Sequence, residues 1–228
     1  MTLFRIHDMN TETTYSSSLQ ITEIFYSLQG ESLTVGLPTI FIRLSGCPFR
    51  CSYCDSVYAF DGGEAMSLEQ TLEQVFPYKA KHVTVTGGEP LAQKGSLALM
   101  QRLCDLGYNV ALETSGALPI DDVDPRVTVV MDLKTPGSGE EDNNNYANIA
   151  RLKEGDQVKF VICDRNDYEW SKDMACRDNL NHRLDVIFSP NTNQLQPQDL
   201  AQWILDDQLA VRFQLQLHKT LWGDKKGV

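Results

Sequence analysis

Three cysteines lie close together at Cys47, Cys51 and Cys54, with the spacing Cys-x3-Cys-x2-Cys. A structural zinc site normally takes four protein ligands, and no second pair of cysteine or histidine residues follows nearby. Three thiolates also leave one iron of a four-iron, four-sulfur cluster without a protein ligand. Such an open iron can chelate a small molecule through an amino and a carboxylate group. The spacing therefore indicates an iron–sulfur loop with a reaction site, and zinc or redox-active thiols remain the alternatives.

The cysteine loop follows a short apolar run, and similar runs recur along the chain. Runs rich in β-branched and apolar residues predict buried strands, and amphipathic stretches between them predict helices. Their alternation indicates an α/β fold with a parallel sheet, open or partly closed into a barrel. The loop then lies at the carboxyl end of a strand, where such folds build their sites. Strands are predicted at 39–44, 82–86, 109–113, 127–131, 158–162, 185–188 and 211–217, and helices at 67–75, 96–106 and 198–206.

Length and charge limit the classes of function. The 228 residues suit one α/β domain, predicted at 21–228 behind a flexible N-terminal extension at 1–20. A formal net charge of −11 disfavours nucleic acid as the main partner and favours a small molecule. We expect a cytoplasmic protein without membrane attachment, because no apolar run approaches the roughly 20 residues that span a bilayer. The acidic, asparagine-rich stretch at 135–148 predicts a solvated surface loop or, alternatively, a mobile cover near a site.

A second motif, Thr86-Gly87-Gly88-Glu89-Pro90, directly follows the predicted strand 82–86. Its glycines let a ligand approach the backbone, and Glu89 offers a carboxylate to an ammonium group. Alone it indicates only a tight turn. Together with the cysteine loop it resembles the radical S-adenosylmethionine (SAM) enzymes. The resemblance implies a partial (β/α) TIM-like barrel, a 4Fe-4S cluster and SAM. It also implies an external one-electron donor and a radical, formed by cleaving SAM, that abstracts hydrogen from the substrate.

Further short motifs narrow the resemblance to one family. The residues FYSLQGES at 25–32, FIRLSGC at 41–47, CDS at 54–56, ETSG at 113–116 and HK at 218–219 are similar to the 7-carboxy-7-deazaguanine synthase family of queuosine biosynthesis. The match runs from about residue 21 to the C-terminus. It implies a lyase that contracts the ring of 6-carboxy-5,6,7,8-tetrahydropterin with loss of ammonia. A magnesium ion and a homodimer are also implied.

The family's motifs assign roles to individual positions. The cluster ligands would be Cys47, Cys51 and Cys54, and Ser56 would bind magnesium where the family often has threonine. The implied SAM contacts are Tyr53, Cys54, Asp55, Gly88, Glu89, Ser115, Asp132, Leu133, Lys134, Ser189, Pro190 and Asn191. The implied contacts of the pterin substrate are Leu28, Gln29, Gly30, Glu31, Arg43, Thr86, His218 and Lys219.

Two other functions stay open at this point. A small radical SAM activase that installs a glycyl radical on a partner protein would carry the same loop. A non-catalytic zinc or iron–sulfur module would use the cysteines only to hold structure. For single residues, ordinary structural roles compete with the implied ones: a surface ion pair for Arg43, a backbone cap for Ser56 and a plain strand-end lysine for Lys134.

Overall fold

The computed structural model describes residues 18–223 and 225–228, and of Asp178 only the backbone. The predicted extension at 1–20 lies largely outside the described residues. Of its last positions, Leu19 and Gln20 already belong to the first strand. The organisation of 21–228 as a single domain stays a prediction.

Nine strands in the described residues form one sheet, in the order β3-β1-β2-β4-β5-β6-β7-β8-β9. From β2 through β4 to β9 the neighbours run parallel, and β1 is antiparallel to both β2 and β3. The sheet stays open, with β3 and β9 at its edges, which makes it a partial barrel. The strands are β1 Leu19–Leu28, β2 Pro38–Leu44, β3 Glu64–Met66, β4 His82–Gly87, β5 Asn109–Thr114, β6 Thr128–Asp132, β7 Gln157–Ile162, β8 Asp185–Pro190 and β9 Arg212–Phe213.

Six helices lie along the described chain, and the first five of them precede or connect parallel strands. They are α1 Leu68–Val75, α2 Gly95–Asp105, α3 Arg165–Cys176, α4 Leu180–Arg183, α5 Pro197–Asp206 and α6 Leu217–Trp222. Short 3-10 turns follow several strands, at Val57–Ala59, Pro90–Ala92, Pro136–Ser138, Glu141–Asn143 and Tyr146–Ala150, and Arg177–Asn179 follows α3. None of the helices in the described ranges has the length and apolar character that a bilayer crossing requires.

The two faces of the sheet differ in chemistry because strand side chains alternate. One face carries Val83, Val85 and Leu112, which pack against α1 and α2 in one apolar core. A second apolar core joins β6, β7 and β8 to α3, α4 and α5. The alternate positions face the interior of the partial barrel and include Thr84 and Lys159, both buried. The hydrophobic effect thus fixes the outer layer, and polar residues are left to line the interior.

Most predicted elements are confirmed, and a capping box between Ser67 and Gln70 begins α1. The predicted strand at 211–217 is wrong beyond Phe213, and α6 begins at Leu217, so His218 and Lys219 lie on a helix. Here the chain binds the β1–β2 connection instead of extending the sheet. Leu217 N–H donates to the Gly30 carbonyl (2.9 Å), and the Gln214 amide donates to the Ser32 carbonyl (2.8 Å).

Candidate active site

The two predicted motifs emerge side by side at the carboxyl edge of the sheet. The parallel register of β2 and β4 pairs Leu44 with Gly87, so both strands end at the same level. Gly88 N–H donates to the Leu44 carbonyl (3.0 Å) and Glu89 N–H to the Gly46 carbonyl (2.7 Å). A Cβ atom on Gly88 would collide with the Gly46 carbonyl. Only glycine permits this close approach, which gives the motif a physical reason within the fold.

Hydrogen bonds within the cysteine loop order part of its backbone. Cys47, Cys51 and Cys54 are unpaired thiols of intermediate exposure. The Arg50 guanidinium donates to the carbonyls of Cys47 and Phe49, both at 2.7 Å, and stacks 4.3 Å from the ring centre of Phe60. Cys54 N–H donates to the Cys51 carbonyl (3.1 Å). The loop therefore has a defined backbone that brings three thiols to one place.

The donor set fits an iron–sulfur cluster. Burial raises the pKa of all three thiols, for Cys51 to about 11, and Lys134 opposes the rise at each of them. Iron binding would therefore have to displace a proton from each thiol, and the Lys134 ammonium makes that loss easier. Each of the three cysteines would bind a different iron of one cluster.

The carboxylate of Glu89 is fully buried and bound by protein donors. It accepts hydrogen bonds from the Thr114 hydroxyl (2.9 Å to each oxygen), from the Ser115 hydroxyl (2.5 Å) and N–H (2.7 Å), and from Leu91 N–H (3.0 Å). This network ties the turn after β4 to the end of β5. The predicted SAM contacts of Glu89 and Ser115 stay predictions, and the structure places both side chains in this network.

The other predicted SAM contacts also lie at the carboxyl edge. Asp132 ends β6, and Ser189 and Pro190 end β8. The Leu133 side chain lies fully buried in the second apolar core, so only its backbone faces the site. Asn191 is buried, and its amide donates to the Gln194 side chain (3.0 Å).

A row of alternating charges crosses the interior from the β1–β2 connection to the cysteine loop; we call Glu31, Lys159, Asp132 and Lys134 the charge row. Lys159 Nζ contacts Glu31 Oε2 at 2.5 Å and Asp132 Oδ2 at 3.5 Å, and Lys134 Nζ lies 3.3 Å from Asp132 Oδ1. Desolvation lowers the pKa of Lys159, but Glu31 and Asp132 outweigh it and the pKa is raised. Both lysines therefore stay charged.

One residue of the interior, Glu113, had no role predicted from the sequence. It receives a hydrogen bond from the Gln29 amide (3.2 Å), which also donates to the Thr84 hydroxyl (3.1 Å). Desolvation, and then the charge of Glu31, raise the pKa of Glu113. The signal that the sequence contains is a charged residue within an apolar strand.

Arg43 and Ser56 lie together near the cysteine loop. Arg43 Nε donates to Glu23 Oε1 (2.7 Å), and its Nη1 lies 3.4 Å from the Ser56 hydroxyl. Ser56 donates to Asp55 Oδ1 (2.9 Å), and Asp55 Oδ2 lies 3.5 Å from Lys219 Nζ. Ser56 and Asp55 offer oxygen ligands to magnesium, whereas the neighbouring guanidinium disfavours a cation.

The remaining predicted substrate contacts border the same interior. Leu28 ends β1, and Thr86, which is buried, lies next to the end of β4. Gly30 packs so closely against the His218 imidazole that a Cβ atom would collide with it. Burial lowers the pKa of His218. The structure thus brings the first and last segments of the predicted substrate site together.

The segment at 135–148 differs from the predicted solvated loop. Thr135, Ser138 and Asn148 are buried, and 3-10 turns order the chain here. The Asn148 amide donates to the carbonyls of Gly116 and Leu118, each at 2.9 Å, and so anchors the segment beside the end of β5. Contacts far away in sequence, which composition does not reveal, decide its structure.

The open β/α sheet with a three-cysteine loop at its carboxyl edge defines the radical SAM class of enzyme. A family model of the radical SAM superfamily matches residues 41–130. The solved structure of QueE from Escherichia coli is similar over 88% of this chain and 95% of that one, with a TM-score of 0.70 and 25% identity. A structure of TYW1 with a lysine–pyruvate adduct, 13% identical with a TM-score of 0.56, covers 75% of both chains and shares the fold.

Curated relatives identify the family within this class. A 7-carboxy-7-deazaguanine synthase from Chlorobaculum tepidum is 44% identical over 96% of this chain and 100% of its own length. Another, from Koribacter versatilis, is 42% identical over 92% of this chain and 100% of its own length. The chain belongs to the 7-carboxy-7-deazaguanine synthase family.

The carboxylates of Glu89 and Glu113 predict losses of stability of different size on the same substitution. Glu89→Gln turns an amide toward backbone and hydroxyl donors, and we expect the free energy of unfolding to fall by about 3 kcal/mol. Glu113→Gln serves as the matched control and should cost less than about 1 kcal/mol, because desolvation already penalises the ionised form. Chemical denaturation at neutral pH measures both. Equal losses would contradict the assignment of Glu89 as the tie between strands.

The raised pKa of Glu113 predicts how the stability of the Glu113→Gln variant, relative to the parent, depends on pH. A carboxyl whose folded pKa is raised contributes stability that is complete below its unfolded pKa of about 4.3 and is lost as pH rises through the folded pKa. Glu113→Gln removes that loss. The variant should therefore gain stability relative to the parent between pH 5 and pH 8, and a constant difference across that range would contradict the raised pKa.

Proposed function

We propose that this chain converts 6-carboxy-5,6,7,8-tetrahydropterin into 7-carboxy-7-deazaguanine with loss of ammonia. The observation that carries the proposal is the placing of three free thiols at the edge of an interior lined by fixed polar groups. Family membership supplies the identity of the reaction. The interior suits a carboxylated, guanine-like ring, which needs a cation and paired hydrogen-bond donors and acceptors.

The chain's own residues would hold the cofactors at the carboxyl edge. Cys47, Cys51 and Cys54 would ligate a 4Fe-4S cluster and leave one iron for SAM. When bound, the cluster would pass an electron to SAM, and the cleavage of SAM would supply the radical that removes hydrogen from the substrate. Gly88 lets SAM approach the backbone. The other predicted SAM contacts are Tyr53, Cys54, Asp55, Glu89, Ser115, Asp132, Leu133, Lys134, Ser189, Pro190 and Asn191.

Polar groups of the interior would orient the pterin. Arg43 would bind its carboxylate, since its guanidinium is held by Glu23 and faces the interior of the sheet. The backbone of 28–30, together with Glu31 and Thr86, would meet the guanine-like edge. His218 and Lys219 would close the site from α6.

Glu113 is our candidate for proton transfer to the leaving nitrogen. Loss of ammonia requires that nitrogen to accept a proton, and a carboxyl of raised pKa can hold one closer to neutral pH. Gln29 fixes the orientation of the Glu113 carboxyl through its amide.

The rest of the proposal comprises magnesium bound by Ser56, an external one-electron donor, a homodimer and a cytoplasmic location.

Anaerobic reconstitution with iron and sulfide, followed by reduction in the presence of SAM and the pterin, tests the reaction. We expect 5′-deoxyadenosine, ammonia and 7-carboxy-7-deazaguanine, each detected by chromatography. Cleavage of SAM without turnover of the pterin would contradict the substrate and favour an activase. Failure of the reduced protein to cleave SAM would favour a non-catalytic module.

Single replacement of a cysteine tests the cluster assignment. Cys47→Ala, Cys51→Ala and Cys54→Ala should each abolish formation of 5′-deoxyadenosine, because two thiolates cannot hold the cluster with one iron open. Cys104→Ala is the matched control, since Cys104 lies in α2 in an apolar core and should leave the yield unchanged. Full activity in any of the three variants would refute the assignment.

Substitutions of Ser56 test whether its hydroxyl binds magnesium. A hydroxyl is the only ligand that this side chain can offer, so Ser56→Ala should raise the magnesium concentration needed for half-maximal product formation roughly tenfold. Ser56→Thr keeps the hydroxyl and should behave like the parent. A magnesium dependence that is the same in all three proteins would exclude Ser56 as a ligand.

A further inference from the structure

We propose that the buried carboxylate of Asp167 is a positioning residue for the cysteine loop, acting through the turn at Pro136–Ser138. The inference deepens the proposed function and rests on its assignment of the cluster to this loop. It concerns a residue of α3, outside every motif that the sequence singled out.

Asp167 is fully buried, and its carboxylate binds the chain at 135–137. Its Oδ1 accepts a hydrogen bond from Gly137 N–H (2.7 Å), and its Oδ2 accepts from the Thr135 hydroxyl (3.0 Å) and from Cys163 N–H (2.9 Å). A Cβ atom on Gly137 would lie 2.5 Å from Oδ2, so the turn and the carboxylate are fitted to each other. Two N–H donors and the Thr135 hydroxyl, which also lies 3.0 Å from the Val161 carbonyl, offset the cost of burying the charge.

The cap of α3 does not need this carboxylate. Asp164 is the N-cap residue, and its side chain accepts from Asp167 N–H (2.9 Å). Asp167 lies in the first turn of the helix, where the helix dipole favours a negative charge. Its side chain points across to a different segment. Two of its three hydrogen bonds therefore bind the chain at 135–137, and the third, from Cys163 N–H, lies just before the beginning of the helix.

The same turn binds the backbone beside Cys51. Ser52 N–H donates to the Ser138 carbonyl (2.9 Å), and the Ser52 hydroxyl donates to the Gly137 carbonyl (2.8 Å). One residue before Cys51, Arg50 N–H donates to Glu140 Oε1 (2.6 Å). Both residues that flank Cys51 are themselves exposed. The position of this thiol therefore depends on a turn that Asp167 holds from the buried side.

Asp167→Asn tests the inference, with Asp156→Asn as its matched control. Asp156 is also buried, and its carboxylate accepts from Val129 N–H (2.8 Å) and Lys153 N–H (3.0 Å). It precedes β7, at the sheet edge opposite the cysteine loop. Both substitutions turn an amide toward backbone donors, so both should lower the midpoint of chemical denaturation. Only the Asp167 carboxylate is connected to the cysteine loop, through the turn at Pro136–Ser138.

The readout is retention of the cluster by the reconstituted protein under native conditions. After addition of an iron chelator, we expect the iron–sulfur absorbance of Asp167→Asn to decay about tenfold faster than that of the parent. Asp156→Asn should stay within about twofold, because its hydrogen bonds lie at the other edge. Equal decay in the two variants, or parental decay in Asp167→Asn, would overturn the proposal.

Hydrogen exchange and a surface substitution separate positioning from loss of folding. Exchange in the peptide that covers 49–54 should increase in Asp167→Asn and not in Asp156→Asn. Ser52→Ala removes the hydroxyl bond to Gly137 at an exposed position and should also hasten cluster loss while leaving the denaturation midpoint unchanged. Parental exchange in Asp167→Asn, or parental cluster retention in Ser52→Ala, would contradict the path through the turn. If the parent retains the cluster but makes no product, the proposed reaction fails and the role of Asp167 stands.

Discussion

The buried carboxylate of Glu89 is the interaction on which the geometry of the site depends. The backbone N–H of Glu89 binds Gly46, and its side chain binds Thr114 and Ser115. Glu89, which follows β4, is thereby joined to the chain segments at the ends of β2 and β5. A charge withdrawn from water is costly unless it is fully hydrogen-bonded, and the donors supplied here meet that need. Because these donors lie on different strands, the carboxylate fixes the strand ends relative to one another.

In the interior, cations lie beside groups of opposite charge. The protein carries a net charge of −11, yet its interior cations each face a carboxylate: Arg43 faces Glu23, Lys159 faces Glu31, and Lys134 faces Asp132. Local pairs outweigh distant charges that solvent and salt screen. The lysines also keep their protons, because nearby carboxylates outweigh desolvation.

The sequence allows prediction of the parallel strands and the two glycine-dependent loops, because buried strands and tight turns leave local patterns. It did not reveal β1 as a strand, because polar and apolar residues mix along Leu19–Leu28, with Glu23 facing Arg43. The end of the predicted strand at 211–217 was lost to contacts with Gly30 and Ser32. Such long-range contacts override local propensity, and a single sequence does not show them. Glu113 could have been found as a charge within an apolar strand.

The buried side chains that hold the backbone near the site are carboxylates or amides, depending on whether they face N–H donors or carbonyl acceptors. Glu89 and Asp167 face N–H groups and hydroxyls, and a carboxylate offers only acceptors to them. Asn148 faces two carbonyls and the N–H of Ile120, a mixture that only an amide can satisfy. Each support is thus specific for one backbone arrangement. Such supports order the cysteine loop through protein contacts, and ordering that the protein supplies reduces the binding free energy spent on arranging the ligands.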